Sequence, residues 1–430
     1  MFLSVLRAGC IAAGALLSAA MPAHAGEPVS ADLKSYLDDV LRAHPALKVA
    51  DAEVAAAEAR AQGLGRPVYN PEFGVGGEHG QSQSLEAGLS QTFDLSGKRE
   101  ARRASGQAEL AIAIAERTEQ RQRIATEVLK ALADLYGQIA ASSLAEQRLE
   151  LLERFADVAD RQYQAGDIGV LDRDLAALAR AEAIAVTGRI ELNLLKAQQA
   201  LDAATRHPGY PPPALPDQLP ESGRLNADYN ALAAALPGVR AALARTEAAR
   251  ADIAIARSET RSDPTVGVRG GFQENRGGGS GGSLVGLELT IPLFLRNNFR
   301  AQVAAADAKA SAASIESDAS YRLAVARMKA AATQYGRTYT AWQRWSGLSS
   351  ARIDASVELL DKVWRVREIS TAEYLLQLRQ LLDGRAAGAE LRAQTWASWA
   401  EWLDASGLWQ AWLDAAASSD SLNPTASSGK

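Results

Sequence analysis

Hydrophobic and polar positions along this chain alternate between two periods. From Lys98 to about Tyr163 there is no proline, and Ile124, Val128, Leu135, Ile139, Leu149 and Leu152 recur at threes and fours, which places them on one face of a helix. At 1.5 Å per residue such a helix reaches about 100 Å. A second stripe, through Trp342, Leu348, Ile353, Val357 and Leu360, predicts an equally long helix from Arg296 to about Trp364. Shorter helices are expected at 30–66, 167–204, 225–261 and 370–404, each about 55 Å long, so that two of them end to end match one long helix. Periodic runs beyond about 25 residues point to coiled-coil packing rather than a compact domain.

Between these helices the period drops to two. Phe73, Val75 and Gly77 alternate with Glu72, Gly74 and Gly76, and the return run sets Leu85, Ala87, Leu89 and Phe93 against Glu86, Gly88, Ser90 and Thr92. A second hairpin sets Val266, Val268 and Phe272 against Gly267, Arg269 and Gln273, then Val285, Leu287, Leu289 and Ile291 against Gly286, Glu288 and Thr290. A soluble hairpin packed on a core shows the same alternation. Runs of about 10 residues also match strands that cross a bilayer with tilt. The connections, Glu78 to Gln83 and the glycine-rich Glu274 to Gly282, are polar, as exposed loops should be. Four strands cannot close a barrel, and an open edge in lipid leaves backbone groups unpaired. In a membrane, several chains must therefore share one barrel.

The chain is written twice. Asn70-Pro71-Glu72-Phe73-Gly74-Val75 answers Asp263-Pro264-Thr265-Val266-Gly267-Val268 at an offset of 193, and Gly88, Leu89, Thr92 and Leu95 answer Gly286, Leu287, Thr290 and Leu293 at 198. His44-Pro45 answers Leu236-Pro237, each opening a helix where proline's missing N–H is harmless. Tyr163 to Ile168 answers Trp364 to Ile369 at 201. Residues 70–93 and 263–293 are thus the hairpins of two units, 26–206 and 224–413, joined by a proline-rich link at 207–223 that cannot be helical. A disordered tail is expected at 414–430.

Upstream, Arg7, the apolar run Ala8 to Ala20 and Ala23-His24-Ala25 form the pattern of a secretory signal over residues 1–25. Cys10, the one cysteine of the chain, lies inside it and carries Arg7 where a lipoprotein signal has an aliphatic residue. The exported part therefore offers no thiol chemistry. His44, His79 and His207 are far apart and have no second ligand at metal spacing. No phosphate-binding loop or nucleophile triad is present. Neither an enzyme nor a cofactor is expected, and the net charge of −5 offers no footprint for nucleic acid.

Taken in order, Asn70-Pro71, Leu89-Ser90-Gln91-Thr92-Phe93-Asp94-Leu95-Ser96-Gly97-Lys98-Arg99, Leu289-Thr290-Ile291-Pro292-Leu293-Phe294, and Tyr163 with Gly166 resemble the TolC-like outer membrane efflux family over nearly the whole exported chain. Gly97, Lys98 and Arg99 look most like the branch serving cobalt, zinc and cadmium resistance. The resemblance implies a mainly α protein with a membrane β-barrel. It has two tandem repeats, each a hairpin plus long coiled-coil helices, and a homotrimer with a 12-stranded barrel and a periplasmic helical tunnel. It implies a location in outer-membrane lipid, a periplasmic adaptor and an inner-membrane pump of the resistance-nodulation-division kind, with heavy-metal cations as cargo. A duct for drugs or other small organic compounds is the alternative cargo reading, and a periplasmic coiled-coil adaptor or scaffold is the alternative class.

By resemblance, acids just past the tip turn help form the gate, here Asp172 and Glu373, nine residues after Tyr163 and Trp364. Without it, both are solvated acids at the positive ends of helix dipoles. Tyr163, Gly166, Asp167, Trp364, Arg367 and Glu368 are the tip-turn candidates for adaptor docking. Arg367 stands where glycine is usual, so the two turns are not equivalent. Trp396, Trp399, Trp402, Trp409 and Trp412 read as helix-packing residues.

Overall fold

Prolines decide where the helices of this chain restart. The residue before a proline is pushed out of the α region, so a helix approaching it must end. In a computed structural model describing residues 31–79, 82–207, 210–275, 282–366 and 368–420, the first expected helix is accordingly two. α1 (Ala31–Ala43) stops at His44, whose extended backbone (ψ 125°) lets its Nδ1 cap Ala46 N at 3.2 Å as α2 (Pro45–Leu64) begins. The same break recurs at Leu236 (ψ 137°), the residue before Pro237 in the second half. The signal segment and the last ten residues lie outside the described residues.

After α2 come β1 (Glu72–His79) and β2 (Ser82–Thr92), the 67-residue α3 (Lys98–Gln164) and α4 (Val170–Thr205). A proline-rich link with a short 3₁₀ turn at Ser222–Leu225 leads to α5 (Tyr229–Ala235), α6 (Pro237–Glu259), β3 (Thr265–Asn275) and β4 (Gly282–Thr290). The 66-residue α7 (Arg300–Arg365) and α8 (Thr371–Ser406) complete the second half, followed by α9 (Trp409–Asp420). The order helix, helix, strand, strand, long helix, helix thus occurs twice. α7 starts four residues later than its apolar stripe suggests. Asn297 and Asn298 accept from the N–H groups of Phe299 and Arg300, and Phe299 sits at φ 56°, which sets the helix start there. α9 carries helix into the region read as a tail, because Trp409, Trp412 and Leu413 are buried and hold it down.

α3 packs against α2, α4, α6 and α8, and α7 packs against α6 and α8. Two apolar clusters punctuate these pairs. The larger joins α1, the middle of α3 from Ile124 to Leu135, Leu215 and Leu219 of the link, Tyr335 of α7, and all five tryptophans of α8 and α9. These tryptophans are core residues, as their spacing suggested. The smaller cluster gathers Phe155, Ala159, Ala176, Leu360, Trp364 and Tyr374 at the other end of the long helices. Between them α8 gives up a side chain: a Cβ on Gly388 would fall 2.0 Å from the Trp345 ring. Gly388→Ala is therefore expected to cost about 1 to 3 kcal/mol, the range for overpacking, read as a lowered thermal midpoint. An unchanged midpoint would mean that the ring packs elsewhere.

The strands form one antiparallel sheet in the order β1-β2-β3-β4, which leaves the outer edges of β1 and β4 unpaired within the chain. Neighbours in register put Phe73, Leu89, Val268 and Leu287 on one rung, and Val75, Ala87, Gly270 and Val285 two residues away on the same face.

Candidate functional site

Alternation along a strand sends successive side chains to opposite faces. Here it separates the sheet into two surfaces of different chemistry. The apolar face carries no core: Phe73 is 69%, Val285 79% and Leu287 81% exposed. The opposite face carries Glu72, Glu86, Glu288 and Arg269, with Arg269 Nη1 3.9 Å from Glu288. Glycines give Arg269 its room, since a Cβ on Gly88 would lie 3.2 Å from its Cβ and one on Gly286 3.1 Å from its Nε. No helix among the described residues is long and apolar enough to cross a membrane.

Where the sheet joins the helices, one buried carboxylate collects the chain. Asp263, just before β3, accepts from Tyr69 OH at 2.9 Å, from the N–H groups of Leu95 and Ser96 at 3.1 Å each, and from Ser96 Oγ at 3.2 Å. Lys98 Nζ stands 2.8 Å away and also donates to Tyr69 OH at 3.0 Å. Burial by itself pushes the Asp263 carboxyl up, but the hydrogen bonds from Lys98, Tyr69 and Ser96 outweigh it and hold the group below the usual carboxylate range. The same competition holds Lys98 above its ordinary value. Asp94 caps α3, accepting from the N–H groups of Gly97, Lys98 and Arg99 at 2.9, 3.0 and 2.7 Å while Gly97 takes φ 80°. The Asp94 to Arg99 motif is thus a structural joint. Its second-half counterparts at the same offset are Pro292, Phe294 and Arg296, which build no such joint.

At the far end, the two tip turns are alike in backbone and different in side chains. Gly166, at φ 80°, closes α3 while Asp167 N returns to Gln162 O at 2.8 Å, and Glu368 N returns to Val363 O at 3.2 Å to close α7. Gly169 and Ser370 are the N-caps that start α4 and α8, and Ser370 Oγ accepts from Glu373 N at 3.2 Å. Arg367 lies outside the described residues. Tyr163 stays exposed, with the Arg173 guanidinium over its ring at 4.5 Å. Its counterpart Trp364 is 6% exposed, sealed between Phe155 and Tyr374 at 4.5 and 5.2 Å. Trp364 is a core residue within the chain and so not a docking surface, because Tyr374 replaces Arg173 at the matching position and brings an aromatic partner. Burial pushes the Tyr374 hydroxyl up to about 12.

Asp172 and Glu373 occupy the first turns of α4 and α8 as their spacing indicated, half-buried and exposed respectively, and no hydrogen bond among the described residues joins them. Glu373 Oε1 accepts from Gln377 at 3.4 Å. One step further along, the structure brings together a pair the sequence reading missed. Glu182 of α4 and Asp383 of α8, also 201 apart, share Arg148 of α3 at 3.9 and 3.5 Å and Arg379 at 3.8 and 3.7 Å. The repeated offset was the signal; the arginines that bridge it have no counterpart in the other half. No group of three or more metal-binding side chains occurs among the described residues.

Residues 36–205 match the outer membrane efflux protein family. The nickel-cobalt-cadmium resistance protein NccC of Alcaligenes xylosoxydans xylosoxydans is 29% identical over 342 residues, 75% of this chain and 76% of the relative. Among solved structures, a membrane protein from Pseudomonas aeruginosa superimposes with a TM-score of 0.73 at 19% identity, covering 88% of this chain and 94% of its own. The outer membrane protein VceC from Vibrio cholerae does so at 0.71 and 18% identity, over 88% and 96%. The family match over residues 36–205, the metal-resistance relative and the shared TolC-like fold agree with one another: the chain is similar to the outer membrane efflux family, whose members are passive ducts and not enzymes.

Proposed function

We propose that three copies of this chain close a 12-stranded barrel in the outer membrane and continue it as a helical tunnel through the periplasm. The duct serves a tripartite efflux system with a periplasmic adaptor and an inner-membrane pump of the resistance-nodulation-division kind. The observation that carries this is the uncovered apolar face of a sheet with two unpaired edges. In water such a face and such edges are both unfavourable, whereas lipid covers the first and neighbouring copies pair the second. A periplasmic adaptor or scaffold would have no use for that sheet. Heavy-metal cations are the proposed cargo, on the strength of the nickel-cobalt-cadmium resistance relative. Residues 1–25 serve as the export signal, 26–206 and 224–413 as the two repeats, and 207–223 as the link at the equator.

In this reading Asp172 and Glu373 stand at one level around the periplasmic mouth, six carboxylates in a trimer. Low-dielectric walls focus such a field, attracting cations and repelling anions. Tyr163, Gly166, Asp167, Arg367 and Glu368 form the tip that meets the adaptor. The purified protein is expected to be a trimer that needs detergent and conducts ions in planar bilayers. Asp172→Asn combined with Glu373→Gln is expected to reduce cation selectivity or raise the resting conductance, more so at low salt. A monomer stable without detergent overturns the duct; unchanged selectivity and conductance return the two acids to ordinary solvated positions.

A further inference from the structure

We infer that the rim where the sheet meets the helices binds the anionic phospholipid headgroups of the periplasm-facing leaflet. The inference rests on the sheet lying in lipid as proposed above, and it adds which lipid the chain selects. Both halves leave the sheet through the same short turn. Leu95 N donates to Phe93 O at 3.1 Å, and Leu295 N to Leu293 O at 3.0 Å. These turns do not tuck their side chains away: Leu95 is 72%, Leu293 74% and Leu295 87% exposed. Leucines left open on two matching turns mark how far the uncovered apolar surface reaches, and hence the lower boundary of the hydrocarbon.

Beyond that boundary each of the four strands has an arginine on its helix side. Arg66 stands six residues before β1 and Arg261 four before β3, while Arg99 follows β2 by seven and Arg296 follows β4 by six. All four are exposed. Arg99 donates Nε to Gly65 O at 2.8 Å, whereas the side chains of Arg66, Arg261 and Arg296 form no ion pair or hydrogen bond among the described residues. Residues 61–71, 93–103, 257–264 and 291–300 together hold nine basic and four acidic side chains, a net of +5, in a chain whose net charge is −5. Two of those acids are already committed, since Asp94 caps α3 and Asp263 holds Lys98. The other two, Glu100 and Glu259, are exposed. The loop ends of the strands lack this charge: residues 78–83 and 274–282 hold Glu78, Glu274 and Arg276, a net of −1.

These features select the lipid's chemistry. The guanidinium fork matches phosphate oxygens, and a basic surface beside a membrane gains attraction from each net negative headgroup. Phosphatidylethanolamine offers a phosphate but brings its own ammonium, so a net positive rim favours phosphatidylglycerol. The leucines continue the face that lipid covers, so one occupant meets both the apolar turns and the arginines. The rim lies at the opposite end of α3 and α7 from the tip, so the adaptor does not compete for it.

The test is native mass spectrometry of the purified trimer in a neutral detergent, titrated with equal amounts of phosphatidylglycerol and phosphatidylethanolamine of the same acyl chains. The wild-type trimer is expected to hold phosphatidylglycerol about fivefold over phosphatidylethanolamine, and the preference should shrink as ionic strength is raised during loading. Arg66→Gln combined with Arg261→Gln and Arg296→Gln should bring the ratio below about twofold. Arg66→Lys, Arg261→Lys and Arg296→Lys together keep the charge and should retain most of the preference. Because none of the three side chains has a partner within the chain, trimer yield and thermal midpoint should stay at the wild-type value in both variants. Equal binding of the two lipids by the wild-type trimer, or an undiminished preference in the glutamine variant, overturns the rim and leaves the duct standing. A monomer that needs no detergent overturns both.

Discussion

Leu287→Arg is expected to block assembly in the outer membrane, at a cost of about 2 to 4 kcal/mol for an arginine near the bilayer midplane. Leu287 is 81% exposed on the apolar face and shares its rung with Phe73, Leu89 and Val268, so the substituted guanidinium has no polar neighbour on that surface. The adjacent residue tests the assignment. Glu288 points to the other face, where its contact with Arg269 is 3.9 Å long and exposed. Such a pair is worth at most about 1 kcal/mol, so Glu288→Gln should assemble normally. The yield of heat-modifiable trimer after refolding into vesicles measures both. Equal damage from the two substitutions would mean that the faces have been assigned wrongly.

The other large effect is expected at the joint between sheet and helices. Asp263→Ala removes an acceptor contacted by Tyr69, Leu95, Ser96 and Lys98, and leaves the Lys98 ammonium with 20% exposure and no counter-charge. Breaking a buried pair in this way costs about 3 to 5 kcal/mol. Removing the stranded charge as well, in Asp263→Ala with Lys98→Met, should recover part of the loss. The pH dependence follows from the depressed Asp263 carboxyl. Its stabilisation is complete above the ordinary aspartate value of about 3.9 and is lost as pH falls through the lower folded-state value. The raised Lys98 has the opposite sense: its contribution is complete below about 10.4 and is lost only as pH rises through the folded-state value. Thermal midpoints should therefore be flat near neutrality and fall on the acid side below about pH 4, with a shallower fall in Asp263→Asn. An identical acid limb in wild type and variant would remove Asp263 as its origin.

The sequence by itself determined the elements and their duplication, because both are local. The stripe at threes and fours set α3 and α7, the alternation set four strands with one apolar face, and Pro45 and Pro237 set the helix restarts. The acids at 172 and 373 could be placed on helix starts because the N-cap positions Gly169 and Ser370 precede them at equal distance. What periodicity does not encode is which residues meet across elements far apart in the chain. Asp263 reaches Ser96 across 167 residues, so a motif that read as a family mark proved to be a buried ionic joint. Trp364 resembles exposed Tyr163 in position, yet it is buried because Phe155 and Tyr374 close over it. Arg148 and Arg379 tie Glu182 to Asp383 only because α3, α4 and α8 lie side by side. Each of these depends on distance in space, which tertiary packing alone supplies.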